Sequence, residues 1–307
     1  MRPAGWVSKL GPPLLLGALA AAGSLSLPGA LVADTSLAAR ACPLATAFSQ
    51  AVASSARGPA VDAQPRLVTT LSARGDVSGR VLTVNTAAGT LTKNLSAESF
   101  AAPAQSNVVV FGQSNTGSAS TVSAIDLQTG CEYSLWWTAE VVRSAVVDTD
   151  LQSLYVHVVK SADRSDAGVL RVALTSGSAV VALPPLAVAS PFGVTFSTAL
   201  RWSLDGDGLA VQSCGLVACR TRVLELAGGA IETFADESQG QIIGLTAGDL
   251  VTFDACPDLP CDLAAIDRRS RSRTDFDVDA YGATLGEDAQ GPVITVVTAT
   301  GTKEIRP

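Results

Sequence analysis

Residues 201–234 read RWSLDGDGLAVQSCGLVACRTRVLELAGGAIETF, and the punctuation of this stretch decides the fold class. Trp202 and Ser203 close an extended run, and Asp205-Gly206-Asp207-Gly208 turns the chain. Glycine enters φ > 0 without steric cost and aspartate bonds its own backbone, so the tetrapeptide suits a tight reversal. Leu209, Val211 and Ser213 then alternate with Ala210, Gln212 and Cys214, a strand of period two. A loop over 215–218 leads to a strand over 222–226, Gly228-Gly229 turns again, and 231–234 finishes the unit. Segments this short cannot hide both of their faces, so neighbouring copies must cover them.

Such copies exist. An alternating strand followed by a turn recurs at 81–85 before Gly89, 122–127 before Gly130 and 169–174 before Gly177. It returns at 223–226 before Gly229, 263–267 before 268–271, and 293–298 before Gly301. No long amphipathic helix separates the strands, which argues against an α/β fold. A period near forty residues favours radial blades over a β-sandwich. The expectation is an all-β chain whose residues 66–307 form a β-propeller of about six blades. Five blades is the alternative, if the short first and last units share one.

Trp202, Ser203, Asp205 and Gly206 (W-S-x-D-G), Leu209-Ala210-Val211, and Val223-Leu224-Glu225-Leu226 ahead of Gly228-Gly229 resemble the TolB-type, WD-like propeller repeat. Leu204 stands where that repeat usually carries proline. The resemblance is clear in about one blade. It implies the architecture and carries over no catalytic residue.

The 307 residues are 47% apolar, enough for a sizeable core, but only 5% aromatic, so aliphatic side chains must fill it. Residues 1–33 read as a secretory signal: Arg2 and Lys9 first, an apolar centre over 14–22, and a small-residue exit at 30–33. The uncharged run 11–33 also admits an uncleaved anchor, which its prolines and glycines disfavour. Cleavage takes two of the 21 basic residues, leaving 19 against 28 acidic ones, a formal charge of −9. That balance excludes nucleic acid as partner and gives no reason for membrane insertion once the leader is gone. The excess of arginine over lysine suggests a GC-rich bacterial genome. Residues 34–65 form an arm with a short helix over 42–56, started by Pro43 and stopped by Gly58 ahead of a linker.

Six cysteines behind a leader read as disulfides. Cys214/Cys219 and Cys256/Cys261 share the spacing C-x4-C, each flanking a loop between two strands, where opposed Cα atoms lie within bridging reach. Cys42 and Cys131 remain as the third pair. A four-cysteine zinc site is the alternative.

Asp275, Asp277 and Asp279 alternate, so on one strand they share a face and could hold Ca²⁺, with Glu287 and Asp288 in reach of the next turn. They could equally be acids that blunt an exposed sheet edge. Asp205 and Asp207 admit a similar Ca²⁺ reading, although the propeller turn explains both. His157, the one histidine, sits among aliphatics and reads as a core residue; any imidazole mechanism has this single group to use. Arg268, Arg269, Arg271 and Arg273 form either an anion patch or a solvated hairpin. Trp136 and Trp137 point to opposite faces, as core packing or as a sugar platform.

The function expected is a secreted or cell-envelope, non-catalytic binding or scaffold module without a cofactor. It would take a protein, small molecule or glycan on its loops or central channel. The alternative is an extracellular propeller hydrolase or lyase using carboxylates and a bound cation; a channel-bound redox quinone is a third reading, with no motif behind it.

Overall fold

The computed structural model describes residues 40–41, 65–72, 77–102, 107–114, 119–148, 152–162, 165–185, 197–203, 206–214, 219–234, 240–253 and 260–307. Regular structure among them is all strand. The leader at 1–33, the helix at 42–56 and nearly all of the linker lie outside the described residues.

Six antiparallel sheets follow one another along the chain. A two-residue strand β1 (Arg40–Ala41) precedes them. The first sheet is β2 (Arg66–Leu71), β3 (Val77–Thr86) and β4 (Gly89–Leu95). The second is β5 (Glu98–Ala101), β6 (Val108–Ser114), β7 (Ser120–Asp126) and β8 (Cys131–Thr138). The third is β9 (Val141–Val147), β10 (Ser153–Val159), β11 (Asp166–Ala173) and β12 (Ala179–Leu183). The fourth, the stretch quoted first, is β13 (Ser197–Trp202), β14 (Gly208–Cys214), β15 (Cys219–Glu225) and β16 (Ile231–Phe234). The fifth is β17 (Ile242–Leu245), β18 (Asp249–Phe253), β19 (Cys261–Asp267) and β20 (Arg273–Ala280), and the sixth is β21 (Gly282–Asp288), β22 (Gly291–Thr298) and β23 (Gly301–Ile305).

Each sheet is a meander, and its first strand touches the first strand of the next: β5 meets β9, β9 meets β13, β13 meets β17, and β17 meets β21. Consecutive sheets therefore stand face to face with their first strands innermost, the arrangement of blades in a β-propeller. Apolar clusters fill the junctions. Leu82, Val84, Phe111 and Ile125 join the first two sheets, and Val122, Ala145, Val156, Leu200 and Leu209 run through the second, third and fourth. Ala210, Phe234, Ile242 and Leu250 join the fourth and fifth, and Val251, Leu263, Ile294 and Val296 the fifth and sixth. Burial on both faces explains why a middle strand such as β10 reads SLYVHVV and is buried throughout. At the rim the sheets fan apart, so the outer strand β20 reads RTDFDVDA and is largely exposed.

The repeat shows in the backbone. In sheets two to five the turn between third and fourth strands carries one five-residue hydrogen bond: Gly130 N to Asp126 O, Gly177 N to Ala173 O, Gly229 N to Glu225 O, and Arg271 N to Asp267 O. The donor needs φ > 0, near 70° for each glycine and 63° for Arg271, the one unit in which the sequence offers no glycine.

Among the described residues the first and last units are each a three-stranded sheet. β1 lies parallel to the outer strand β8, Arg40 opposite Cys131 and Ala41 opposite Glu132, so part of the arm adds a fifth strand to the second sheet. Trp136 packs into the core as expected, whereas Trp137 is 70% exposed, because β8 is an outer strand where the blades diverge.

Candidate functional site

Strand polarity gathers the long loops at one end. The first strands of the fourth and fifth sheets run parallel, joined by a bridge between Ser203 and Leu245. In a meander every second connection then falls at the same end. The β6–β7, β10–β11, β14–β15 and β18–β19 loops share that end with the connectors between sheets. Hydrogen bonds tie the two kinds of segment together. Ser120 Oγ donates to Glu140 O at 2.6 Å, Ser161 Oγ to Ala139 O at 2.8 Å, and Gln212 Nε2 to Gly240 O at 2.6 Å. The described ends of the insertions at 112–120, 161–168 and 183–191 lie at this end, as do Cys214, Cys219 and Cys261.

Cys214 and Cys219 face each other across β14 and β15 and are bonded to one another, with Cα atoms 3.9 Å apart. Cys131 and Cys261 are disulfide-bonded as well. Cys42 and Cys256 lie outside the described residues.

Directly beneath the rim, between the third and fourth sheets, is a charged joint. Asp166 Oδ1 accepts from His157 Nε2 at 2.8 Å and from Gly168 N at 2.9 Å. Its other oxygen lies 3.9 Å from Arg222 Nη2, and Arg222 Nη1 donates to Pro184 O at 2.7 Å. His157 is fully buried, while Asp166 and Arg222 are 7% and 4% exposed. Register shifts aim these groups. The pairing of β10 slips beside His157 against β9 and at Val159 against β11, and each slip turns a side chain away from strict alternation. Gly168, at φ 89°, permits the second: a Cβ there would stand 2.4 Å from Leu183 O. Burial pushes the Arg222 guanidinium below its ordinary value, and the Asp166 charge pulls it back. Asp166 is thus the counter-charge that keeps a buried arginine tolerable.

His157 has the core role its neighbours suggested, but neither its partner Asp166 nor Arg222 on the far side of that carboxylate was legible. They lie 9 and 65 positions along the chain, and only the slips and the face-to-face packing bring them together. Gln212 was also missed; it links the fourth and fifth sheets by accepting from Ile242 N at 3.2 Å while donating to Gly240 O. The polar tip inside an otherwise apolar strand was the available signal.

Asp275, Asp277 and Asp279 share the exposed face of β20, an outer edge. Asp275 accepts from Arg273 Nε, and among the described residues no three acidic, histidine or cysteine groups gather as ligands for one ion. Asp288 is held by Arg306, which keeps its carboxyl below the usual range. The arginine turn is a clamp. Arg268 Nη2 reaches Glu232 at 2.7 Å and Glu225 at 3.2 Å, and Arg271 lies 3.8 Å above the Phe234 ring, so the turn of the fifth sheet is fastened to the fourth.

No protein-family model matches the chain, and none of the curated proteins does. Similar solved structures exist. TolB from Acinetobacter baumannii is 12% identical, with 78% of this chain and 61% of that one covered at a TM-score of 0.48. The β-propeller domain of the Trilobed protease from Pyrococcus furiosus is 10% identical, with 80% and 79% covered at 0.45. An oligogalacturonate lyase in complex with manganese is also 10% identical, with 77% and 74% covered at 0.46. The chain spans about three fifths of TolB's length, and 62% of a similar protein from Listeria monocytogenes EGD-e. These likenesses bear on no function, and the propeller rests on the strand order above. Among the described residues no helix is long and apolar enough to cross a membrane.

Proposed function

We propose that the chain is an extracytoplasmic, six-bladed propeller that binds a protein, glycan or small molecule on its loop rim without transforming it. The observation that carries this reading is the bracing of that one end. The Cys214–Cys219 bond closes a rim hairpin, and the Asp166–Arg222 and Gln212–Gly240 contacts lock successive blades just below it. A braced strand edge loses little entropy on engaging a ligand, which favours affinity. The single imidazole is spent inside that bracing, fully buried against Asp166, and so does not reach a ligand at the rim.

Pairing Cys42 with Cys131 and Cys256 with Cys261 completes the proposal. It is supported by the bonded state of Cys131 and Cys261 and by Arg40 lying opposite Cys131. Together with the leader read at 1–33, it makes the compartment oxidising. Calcium at Asp275, Asp277 and Asp279 stays a subsidiary proposal; an unchanged melting temperature in EDTA rejects it.

The test incubates the purified chain with panels of envelope glycans, peptides and small esters, scoring both capture and turnover. The reading expects a bound member recovered chemically intact, with capture weakened at least tenfold in a Cys214→Ser/Cys219→Ser variant. A cleaved or eliminated product, dependent on added cation, refutes it in favour of the hydrolase or lyase.

A further inference from the structure

The outer strand β12 of the third sheet reads AVVAL, and among the described residues no strand lies beyond it. Val180 and Val181 are 61% and 62% exposed. Being adjacent, they point to opposite faces, so this edge is apolar on both sides. The five other outer strands all carry charge: Lys93 on β4, Glu132 on β8, Glu232 on β16, Asp275 on β20 and Lys303 on β23. Charged side chains on an edge keep other strands away. Around β12 that guard is missing, since no charged residue stands between Arg171 and Arg201 in the sequence. Arg171, opposite Val180, turns its Nε inward to Ser153 Oγ at 3.0 Å.

The backbone of this edge is open as well. Ala173 N donates to Ser178 O, and the register then sets Val172 opposite Ala179, Arg171 opposite Val180 and Leu170 opposite Val181. Bonded and non-bonded pairs alternate along an antiparallel ladder, so Val180 spends its N–H and C=O on Arg171. Those of Ala179 and Val181 face away from the sheet. The fold already fills one outer edge with an added strand, β1 laid along β8.

The size of the edge decides what fits it. Five residues of strand present an edge about 17 Å long and about 10 Å thick, roughly 170 Å². That is far below the ~800 Å² each partner of a stable dimer buries, but it is the span over which a peptide adds to a sheet. We propose that β12 is a docking edge, which takes an extended, uncharged, valine- and threonine-rich peptide segment of a partner protein as a further strand of the third sheet. The edge is independent of the loop rim, and opening the rim hairpin leaves it in place.

Fluorescence anisotropy with a labelled, end-capped Thr-Val-Thr-Val-Thr-Val peptide tests this. The parent binds it one to one. The same peptide N-methylated at every amide keeps its side chains, loses its donors and binds at least tenfold more weakly. Val181→Pro removes an outward donor without touching the bonds to β11, and it weakens binding at least tenfold. Val180→Lys/Val181→Lys places two charges at exposed positions and does the same, so the test stays decisive if the proline variant folds poorly. Cys214→Ser/Cys219→Ser binds the peptide as the parent does. The proposal is overturned if the peptide does not bind, or if the methylated peptide or the lysine variant behaves like the parent. It is equally overturned if sedimentation shows the parent self-associating and the lysine variant monomeric, which gives the edge to a second copy.

Discussion

Replacing Asp166 with alanine strands two polar groups between the third and fourth sheets. His157 Nε2 and Gly168 N lose their acceptor, and the Arg222 guanidinium loses its counter-charge, 3.9 Å away. A lost neutral hydrogen bond costs about 1 kcal/mol, and a buried donor left unsatisfied about 1–3 kcal/mol. Breaking a buried ion pair from one side costs about 3–5 kcal/mol, so the charge dominates. The 3.9 Å separation is too long for a hydrogen bond, and Arg222 keeps its bond to Pro184 O, which places the total near the low end, about 3–4 kcal/mol. At about 2–4 °C per kcal/mol for a chain of this size, the melting temperature falls by roughly 6–16 °C. Urea unfolding and calorimetry without reductant measure it. Asp166→Asn keeps an acceptor and loses only the charge, so its deficit isolates the electrostatic part. Asp166→Ala with Arg222→Met removes both charges and recovers most of the loss. A single alanine variant within about 1 kcal/mol of the parent refutes the counter-charge argument, as does a double variant whose deficits simply add.

Gly168→Ala, forced to φ 89° with its Cβ against Leu183 O, destabilises by about 1–3 kcal/mol and shifts the urea midpoint accordingly. Arg271→Gly relieves a left-handed backbone worth about 1 kcal/mol and forfeits a cation–π contact of about 0.5–1 kcal/mol, so its midpoint stays nearly unchanged. Asp249 has its carboxyl raised by burial and by Asp267 nearby, so the folded state binds its proton more tightly than the unfolded one. The penalty is therefore present above the raised value and vanishes below the ordinary one. Melting curves should show Asp249→Asn higher than the parent at neutral pH, with the gap closing as pH falls toward 4. Asp275, Asp277 and Asp279 changed together to asparagine alter stability by less than about 0.5 kcal/mol. Light scattering should nonetheless detect faster aggregation, because the charges guard the exposed edge of β20.

How far the sequence reaches depends on the range of the interaction. Turn chemistry is local, so the six strand-and-turn units were legible, down to the glycine positions that carry φ > 0. In the fifth unit the periodicity located the turn although Arg271 had to supply the conformation. The Cys214–Cys219 bond was legible for the same reason: a hairpin brings together residues close in sequence. The aliphatic run around His157 likewise marked that residue as part of the core, because burial on both faces demands runs such as β10.

The addition of β1 to the outer edge of β8 was not legible, since it pairs segments some ninety residues apart. Nor were the pairing of His157 with Asp166 or the clamp formed by Arg268. Each is set by which side chains face each other across strands or sheets. That pairing follows from register slips of one residue and from the angle at which blades stack, quantities to which no single stretch of chain is sensitive. Strand, turn and bridge belong to the sequence; the company a buried charge keeps belongs to the assembled ring.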